Sequence, residues 1–330
     1  MGDHAYNMGD TNDHRGDAYM NAFSAALANC PWIPVIGNHE STECPGDEVD
    51  ESTHERYLNQ TWGAAYGQNL SSTATSALGH LLTRGSLHGA GVHGSTPSGT
   101  SQWYSVDLGK IHLVALDLDP LLHNAAQQQA WLEQDLAAAD ANRAAVPWII
   151  VTSHFPIHNT AFEAPGVANA SAQWFLGDNG HERFATSGHD FVPCNESNGP
   201  DGSCKTVGAF LTSTTNFLDP LLTKYKVDVY DAGHVHSYDT TWPLIDGKVT
   251  AKSYVNPNGT VHITEGNGGV PGVAGTNSVH PCKSAFGRIC GTGGAYGRFT
   301  AYNSSVLGYE HVENPTGNVS DAWAIVRTTA

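Results

Sequence analysis

Residues 218–238 read LDPLLTKYKVDVYDAGHVHSY, and their order sets the pattern of the whole chain. A helix is expected over 215–226, followed by the buried strand Val227–Tyr230. Right behind that strand stand Gly233-His234-Val235-His236. Side chains able to bind metal thus follow a strand too apolar to lie on a surface. Working outward, the arrangement repeats. Trp148–Thr152 reads as a strand and ends in Ser153-His154. Trp32–Ile36 reads as another and ends in Gly37-Asn38-His39-Glu40. Asp3 and Tyr6 stand at the very start of the chain. In α/β folds the carboxyl ends of strands line the ligand crevice, so these four separate segments can deliver side chains to one place.

The remaining elements fit the same plan. Residues 17–29 read as a helix carrying Met20, Phe23 and Leu27 on one face, with Asp17 placed to cap it. A short helix is expected near 54–66. Residues 103–117 (WYSVDLGKIHLVALD) read as a hairpin around Leu108-Gly109-Lys110. Residues 126–141 read as a helix with Trp131, Leu132, Leu136 and Ala139 on one side. Residues 160–210 read as an irregular insertion and 240–330 as strand and turn. No internal repeat or Pro-rich linker divides the chain. The expected fold is α/β, a single domain over 1–330 of two packed mixed β-sheets flanked by helices, with 300–330 as its last strand segment.

Composition narrows the function. The chain has 330 residues, of which 40% are hydrophobic and 14% charged. That excludes wholesale disorder, and no run of apolar residues is long enough to span a membrane. Acidic residues outnumber basic ones, 32 to 15, for a net charge of −17. Such a surface repels phosphate backbones, so no nucleic-acid partner and no membrane partner are expected. The 18 His, if all protonated, would cancel that negative charge, which suits an acidic compartment. His bound to metal would not take part. His80, His88 and His93 lie among glycines without ligand spacing and read as solvated loop residues.

Six Cys fall into three local pairs, Cys30 with Cys44, Cys194 with Cys204 and Cys282 with Cys290, and none has the spacing of a zinc ribbon. Seven N-x-S/T triplets begin at Asn59, Asn69, Asn169, Asn195, Asn258, Asn303 and Asn318. Chance would give roughly three or four. Disulfides and glycans point to a secreted or lysosome/vacuole-like compartment. The segment after Met1 has no signal-peptide character.

The chemistry follows from the residue types. A carboxylate can bridge two cations about 3.5–4 Å apart. Imidazoles suit iron, zinc and manganese, and an Asn carbonyl adds a neutral oxygen ligand. The spacing of His234 and His236 puts both on one side of an extended segment, or lets a turn divide them between two metals.

In these motifs the chain resembles the purple acid phosphatases, within the calcineurin-like metallophosphoesterases. Gly2-Asp3-His4-Ala5-Tyr6 is similar to the family's G-D-x-x-Y, Gly37-Asn38-His39-Glu40 to G-N-H-D/E, Val151-Thr152-Ser153-His154 to V-x-x-H and Gly233-His234-Val235-His236 to G-H-x-H. The intervening WYSVDLGKIHLVALD, QQAWLEQDL and Gly266-Asn267-Gly268-Gly269 resemble it too. The resemblance is weakest over 45–100 and 160–210. It implies a metallophosphoesterase sandwich and a dinuclear centre of Fe(III) and a divalent metal (Zn, Mn or Fe(II)). Asp3 would bridge the metals. Tyr6 and His236 would bind the ferric ion, and Asn38, His154 and His234 the divalent one. His39 would face the substrate phosphate, and His158 would reach the substrate oxygens. The implied reaction is hydrolysis of small phosphate monoesters by attack of a metal-bound hydroxide.

The chain also departs from the family. Tyr238 is followed by Asp239-Thr240 where relatives carry Glu-Arg. The D-x-G motif that supplies a ferric-site Asp lies upstream of G-D-x-x-Y in relatives, and this sequence begins at G-D-x-x-Y. A missing first strand and a truncated catalytic domain are therefore expected, without the N-terminal β-sandwich of plant-like relatives. Two other readings stand beside the phosphomonoesterase: a non-catalytic glycoprotein with an incomplete metal site, and a metallophosphoesterase acting on phosphodiesters.

Overall fold

The computed structural model describes residues 2, 18, 21, 22, 33, 35, 37, 96, 98, 103–118, 125–159, 217–269, 278–282, 284–314 and 316–328. Ala18, Asn21 and Ala22 are helical, within the helix expected over 17–29. The helix near 54–66, the insertion 160–210 and most of the strand Trp32–Ile36 lie outside the described residues.

The hairpin forms as expected. β1 (Tyr104–Leu108) pairs antiparallel with β2 (Ile111–Ala115). Gly109 takes the φ of +62° that a two-residue hairpin loop asks of a glycine. Helix α1 (Ala125–Ala141) follows, with Trp131, Leu132, Leu136 and Ala139 all buried. Its Gln128 accepts a hydrogen bond from the Asp117 N–H and donates one to the Asp117 carbonyl, fastening the helix to the chain just past β2. β3 (Trp148–Ser153) is buried at every position, as befits a strand covered on both faces.

Helical residues 217–224 (α2) end in a 6→1 and 5→2 pair of hydrogen bonds, from Val227 N–H to the Leu222 carbonyl and from Lys226 N–H to the Thr223 carbonyl. Lys226 sits there at φ 52°, where glycine is usual. This cap occupies Val227, so β4 (Val229–Ala232) begins and ends two residues later than the apolar run suggests. The remaining strands are β5 (Tyr238–Thr241), β6 (Leu244–Ile245), β7 (Lys248–Val249), β8 (Val261–Glu265), β9 (Ser278–Pro281), β10 (Gly287–Thr292), β11 (Ala295–Ala301), β12 (Val306–Glu313) and β13 (Val319–Val326).

Eight strands form one mixed sheet in the order β1-β2-β3-β4-β8-β5-β10-β9, in which β2, β3, β4 and β8 run parallel. Strands β11-β12-β13 form an antiparallel sheet. The two pack face to face. Trp148, Ile150, Val229 and Ile263 from the large sheet meet Leu307, Tyr309, Trp323 and Ile325 from the small one. On the opposite face Ile149, Val151, Tyr230 and Ala232 meet the apolar sides of α1 and α2. The expected α/β sandwich is thus present, its alternation set by the two-residue period of β3 and β4.

Two local features matter later. His112, on β2, is only 1% exposed and lies between two carboxylates, its Nδ1 2.7 Å from Asp107 and its Nε2 3.0 Å from Asp135 of α1. Burial opposes its charge, but the hydrogen bonds to Asp107 and Asp135 prevail and raise its pKa to about 9. The expected Cys282–Cys290 disulfide closes, with the Cα atoms 5.0 Å apart. It joins β10 to the residue after β9, the outermost strand on that side among the described residues. Cys30, Cys44, Cys194 and Cys204 lie outside them.

Candidate metal centre

β3 and β4 are parallel neighbours, with Ser153 in register with Ala232. Past that pair the Gly233 N–H donates to the His154 carbonyl at 3.0 Å, so the two chain ends stay together where the strands stop. This is why His154 and His234, eighty residues apart, meet. The His154 Nε2 lies 3.0 Å from the His234 Nδ1, with the rings edge to face. His154 is fully buried, and the Phe155 ring stands 4.8 Å from both imidazoles as an apolar wall.

The G-H-V-H segment is neither an extended strand nor a simple loop. Val235 N–H donates to the Gly233 carbonyl at 2.7 Å, and Ser237 N–H donates to the Val235 carbonyl at 2.7 Å. These are two successive γ-turns, centred on His234 and His236. His234 has φ 59°, so the first turn is the rare, strained form. Such strain concentrates at functional sites because the surrounding structure enforces it. Here the enforcement is visible. Gly266, just past β8, lies so close beneath the turns that a Cβ would stand 2.0 Å from the Val235 carbonyl oxygen. Gly266→Ala is expected to leave the chain folded but shift both histidines. Since misplacement of about 1 Å can cost a hundredfold in rate, a loss of tenfold or more in kcat/KM is expected with reduced metal content. Unchanged kinetics would contradict the role of this contact.

Two further motifs reach the same point. A Cβ on Gly2 would stand 2.4 Å from the His154 Nδ1 and 2.7 Å from the Gly37 Cα. Gly2 opens the segment that continues with Asp3, and Gly37 precedes Asn38. Gly2 of the first motif therefore sits against both the glycine of the second and the histidine of the third. Asp3, Tyr6, Asn38 and His39 themselves lie outside the described residues. His236 is half-buried at the centre of the second γ-turn.

The donor set suits a cation. Two imidazole nitrogens bound to one metal at 2.0–2.1 Å lie roughly 3–3.4 Å apart, close to the 3.0 Å found between His154 and His234. Asp231, also at the end of β4, has a buried Oδ1 without a hydrogen-bond partner among the described residues. Desolvation raises its carboxyl pKa. The neighbouring Glu265 carboxyl is raised as well, first by burial and then by Asp231, and accepts a hydrogen bond from the Tyr309 hydroxyl. Neither acid stands out in the sequence, where both are embedded in strand patterns.

His158 is directed elsewhere. Its Nε2 lies 2.8 Å from the Asp219 Oδ2, and its ring meets His262 edge to face at 4.8 Å. Asp239 and Thr240, which follow the G-H-V-H segment, are fully buried in β5.

A mixed sheet packed against a second sheet, with imidazoles converging at the carboxyl ends of its central strands, is the architecture of the metallophosphoesterases. Residues 2–238 match the family model for calcineurin-like phosphoesterases, and the chain belongs to that family. Residues 259–322 match the model of the iron/zinc purple acid phosphatase-like protein C. The chain is similar to human acid phosphatase type 7, 26% identical over 279 residues, which are 82% of this chain and 47% of that protein. It is also similar to the Arabidopsis thaliana protein called probable inactive purple acid phosphatase 1, 28% identical over 229 residues, or 68% of this chain and 30% of that one. Purple acid phosphatase PPD1 from yellow lupin seeds aligns with a TM-score of 0.46 at 24% identity, over 70% of this chain and 34% of its own. The chain thus spans about half the length, or less, of the human and Arabidopsis relatives.

Proposed function

We propose that the chain is the catalytic domain of an acid phosphatase that hydrolyses small phosphate monoesters at a dinuclear centre of Fe(III) and a divalent metal. The observation that carries this reading is the convergence of His154 and His234, with Gly2 packed between His154 and Gly37. In it Asp3 bridges the two sites, Tyr6 and His236 serve the ferric one, and Asn38, His154 and His234 serve the divalent one. When bound, such a pair neutralises charge on the phosphoryl oxygens and lowers the pKa of water. The buried wall of Phe155 and the γ-turns hold the imidazoles in place and exclude water behind them. His39 faces the substrate phosphate and assists the leaving group. Residues 1–330 act as one domain, supported by the core that Trp148 and Ile263 share with Tyr309 and Trp323.

A secreted or lysosome/vacuole-like glycoprotein is part of the same reading. Asn258, Asn303 and Asn318 are exposed, as glycan acceptors must be, and Cys282 is bonded to Cys290. Asn59, Asn69, Asn169 and Asn195 lie outside the described residues. No helix among the described residues is long and apolar enough to cross a membrane.

The test is hydrolysis of p-nitrophenyl phosphate against bis(p-nitrophenyl) phosphate at about pH 5, after loading with iron and zinc. Preferential turnover of the monoester is expected, with visible absorption from a Tyr6–Fe(III) pair. Preference for the diester would replace the substrate class. No turnover of either would favour a non-catalytic role, the one named for the Arabidopsis relative.

A further inference from the structure

Away from the γ-turns, three segments distant in sequence bring a second set of donors together. His158 follows β3, Asp219 lies in α2, and His262 is the second residue of β8. Each offers one ligand atom, and the three atoms lie within 4.8 Å of one another. The His158 and Asp219 side chains are 12% and 9% exposed, and His262 is 2% exposed. From this juxtaposition we propose that His158, Asp219 and His262 form a zinc-class divalent cation site, separate from the centre at His154 and His234.

Three observations carry it. The His262 Nδ1 is buried and has no hydrogen-bond partner among the described residues. An unmade hydrogen bond on such a group costs about 1–3 kcal/mol, so a native core needs a reason to keep it. Among the described residues the Asp219 carboxylate has one hydrogen-bond partner, His158, and a carboxylate can accept several. Two imidazoles with one carboxylate are, moreover, a donor set of the zinc, cobalt and nickel kind rather than that of magnesium or calcium.

Cation binding replaces the hydrogen bond between His158 and Asp219. The proton on the His158 Nε2 moves to Nδ1 or leaves, which frees the Nε2 lone pair for the metal. His262 is held neutral, its pKa lowered first by burial and then by His158, so one of its ring nitrogens offers a lone pair without first losing a proton. Three protein ligands leave a fourth position for water. The Asp246-Gly247 turn between β6 and β7 covers one side of the site. Both residues have positive φ, and a Cβ on Gly247 would stand 3.1 Å from the His158 Cε1. The cation would thus tie α2, β8 and the end of β3 together beneath that turn.

The test is zinc binding by equilibrium dialysis with metal analysis, on the 330-residue chain carrying His154→Ala and His234→Ala. This background keeps the outcome independent of the phosphatase reading. One zinc per chain is expected to remain, weakened tenfold or more by Asp219→Asn and, separately, by His158→Asn. His158 sits at the more exposed rim, so its variant serves if Asp219→Asn does not fold. Zinc is also expected to raise the unfolding midpoint of the parent and not that of either variant. In zinc-soaked crystals of the unmodified chain, anomalous density is expected between the three residues. Equal zinc affinity and equal midpoint shifts in parent and variants would overturn the proposal, and would mean that zinc binds surface histidines only.

Discussion

His154→Ala is expected to lower kcat for p-nitrophenyl phosphate by about a thousandfold or more, with loss of metal from the iron- and zinc-loaded protein. The argument starts from geometry. The His154 Nε2 and the His234 Nδ1 are 3.0 Å apart at the ends of adjacent parallel strands. Removing one imidazole leaves a single nitrogen on a strained turn, and the Asn and carboxylate donors proposed around it cannot restore the pair. A cation supplies several kcal/mol of charge stabilisation in phosphoryl transfer, and each 1.4 kcal/mol is about tenfold in rate. Since His154 is fully buried, the variant also leaves a void, costing about 2 kcal/mol or more of stability. Activity is therefore to be compared below the unfolding transition, with far-UV circular dichroism and metal analysis alongside. His234→Ala should behave alike. Retention of activity within tenfold in either variant, with full metal content, would place the centre elsewhere.

The second large effect is on stability. His112 carries its proton up to about pH 9 in the folded chain and to about 6.5, its ordinary value, when unfolded. Between those limits the folded state holds a proton that the unfolded state has released. The contribution is full below about pH 6.5 and fades as pH rises through 9. A difference of this size is worth about 3 kcal/mol. In urea titrations, the wild-type chain is expected to lose about that much between pH 6 and 9.5. His112→Gln should remove this pH dependence. It should also destabilise the fold by about 3–5 kcal/mol at pH 6, because Asp135, fully buried on α1, loses its countercharge. The Ser105 hydroxyl and the Thr96 N–H, which also donate to Asp135, offset only part of the loss. A wild-type stability that is flat across this range would show that His112 is not charged in the core.

What could be read ahead from the sequence depended on whether a signal was local. The β1–β2 hairpin, α1 and β3 fall within two residues of their expected bounds, because turn chemistry, helical period and an apolar run each act within a dozen residues. β4 was shifted because Lys226 adopts a conformation usually left to glycine, which residue type does not announce. At the site, His154 and His234 were legible from their place behind apolar strands, since parallel register alone brings such ends together. The γ-turns were not. They depend on Gly266, just past β8, whose missing side chain makes the room. The grouping of His158, Asp219 and His262 was equally hidden. His158 and Asp219 are 61 residues apart, and only the packing of α2 on the large sheet joins them. The carboxylates around His112 escaped for the same reason, since α1 supplies one of them from across the core.

The outer margin of the large sheet has a consequence for how copies of this chain behave together. An unprotected terminal strand offers its backbone to any neighbour, and sheets that grow this way polymerise. Here β9, the terminal strand on that side among the described residues, ends in Pro281, which has no N–H to give, and its next residue is bonded to β10 through Cys282 and Cys290. The strand cannot peel away to recruit a partner without breaking a covalent bond. A crowded solution whose acidity has neutralised much of the −17 charge favours precipitation, yet along this margin the sheet is self-limiting.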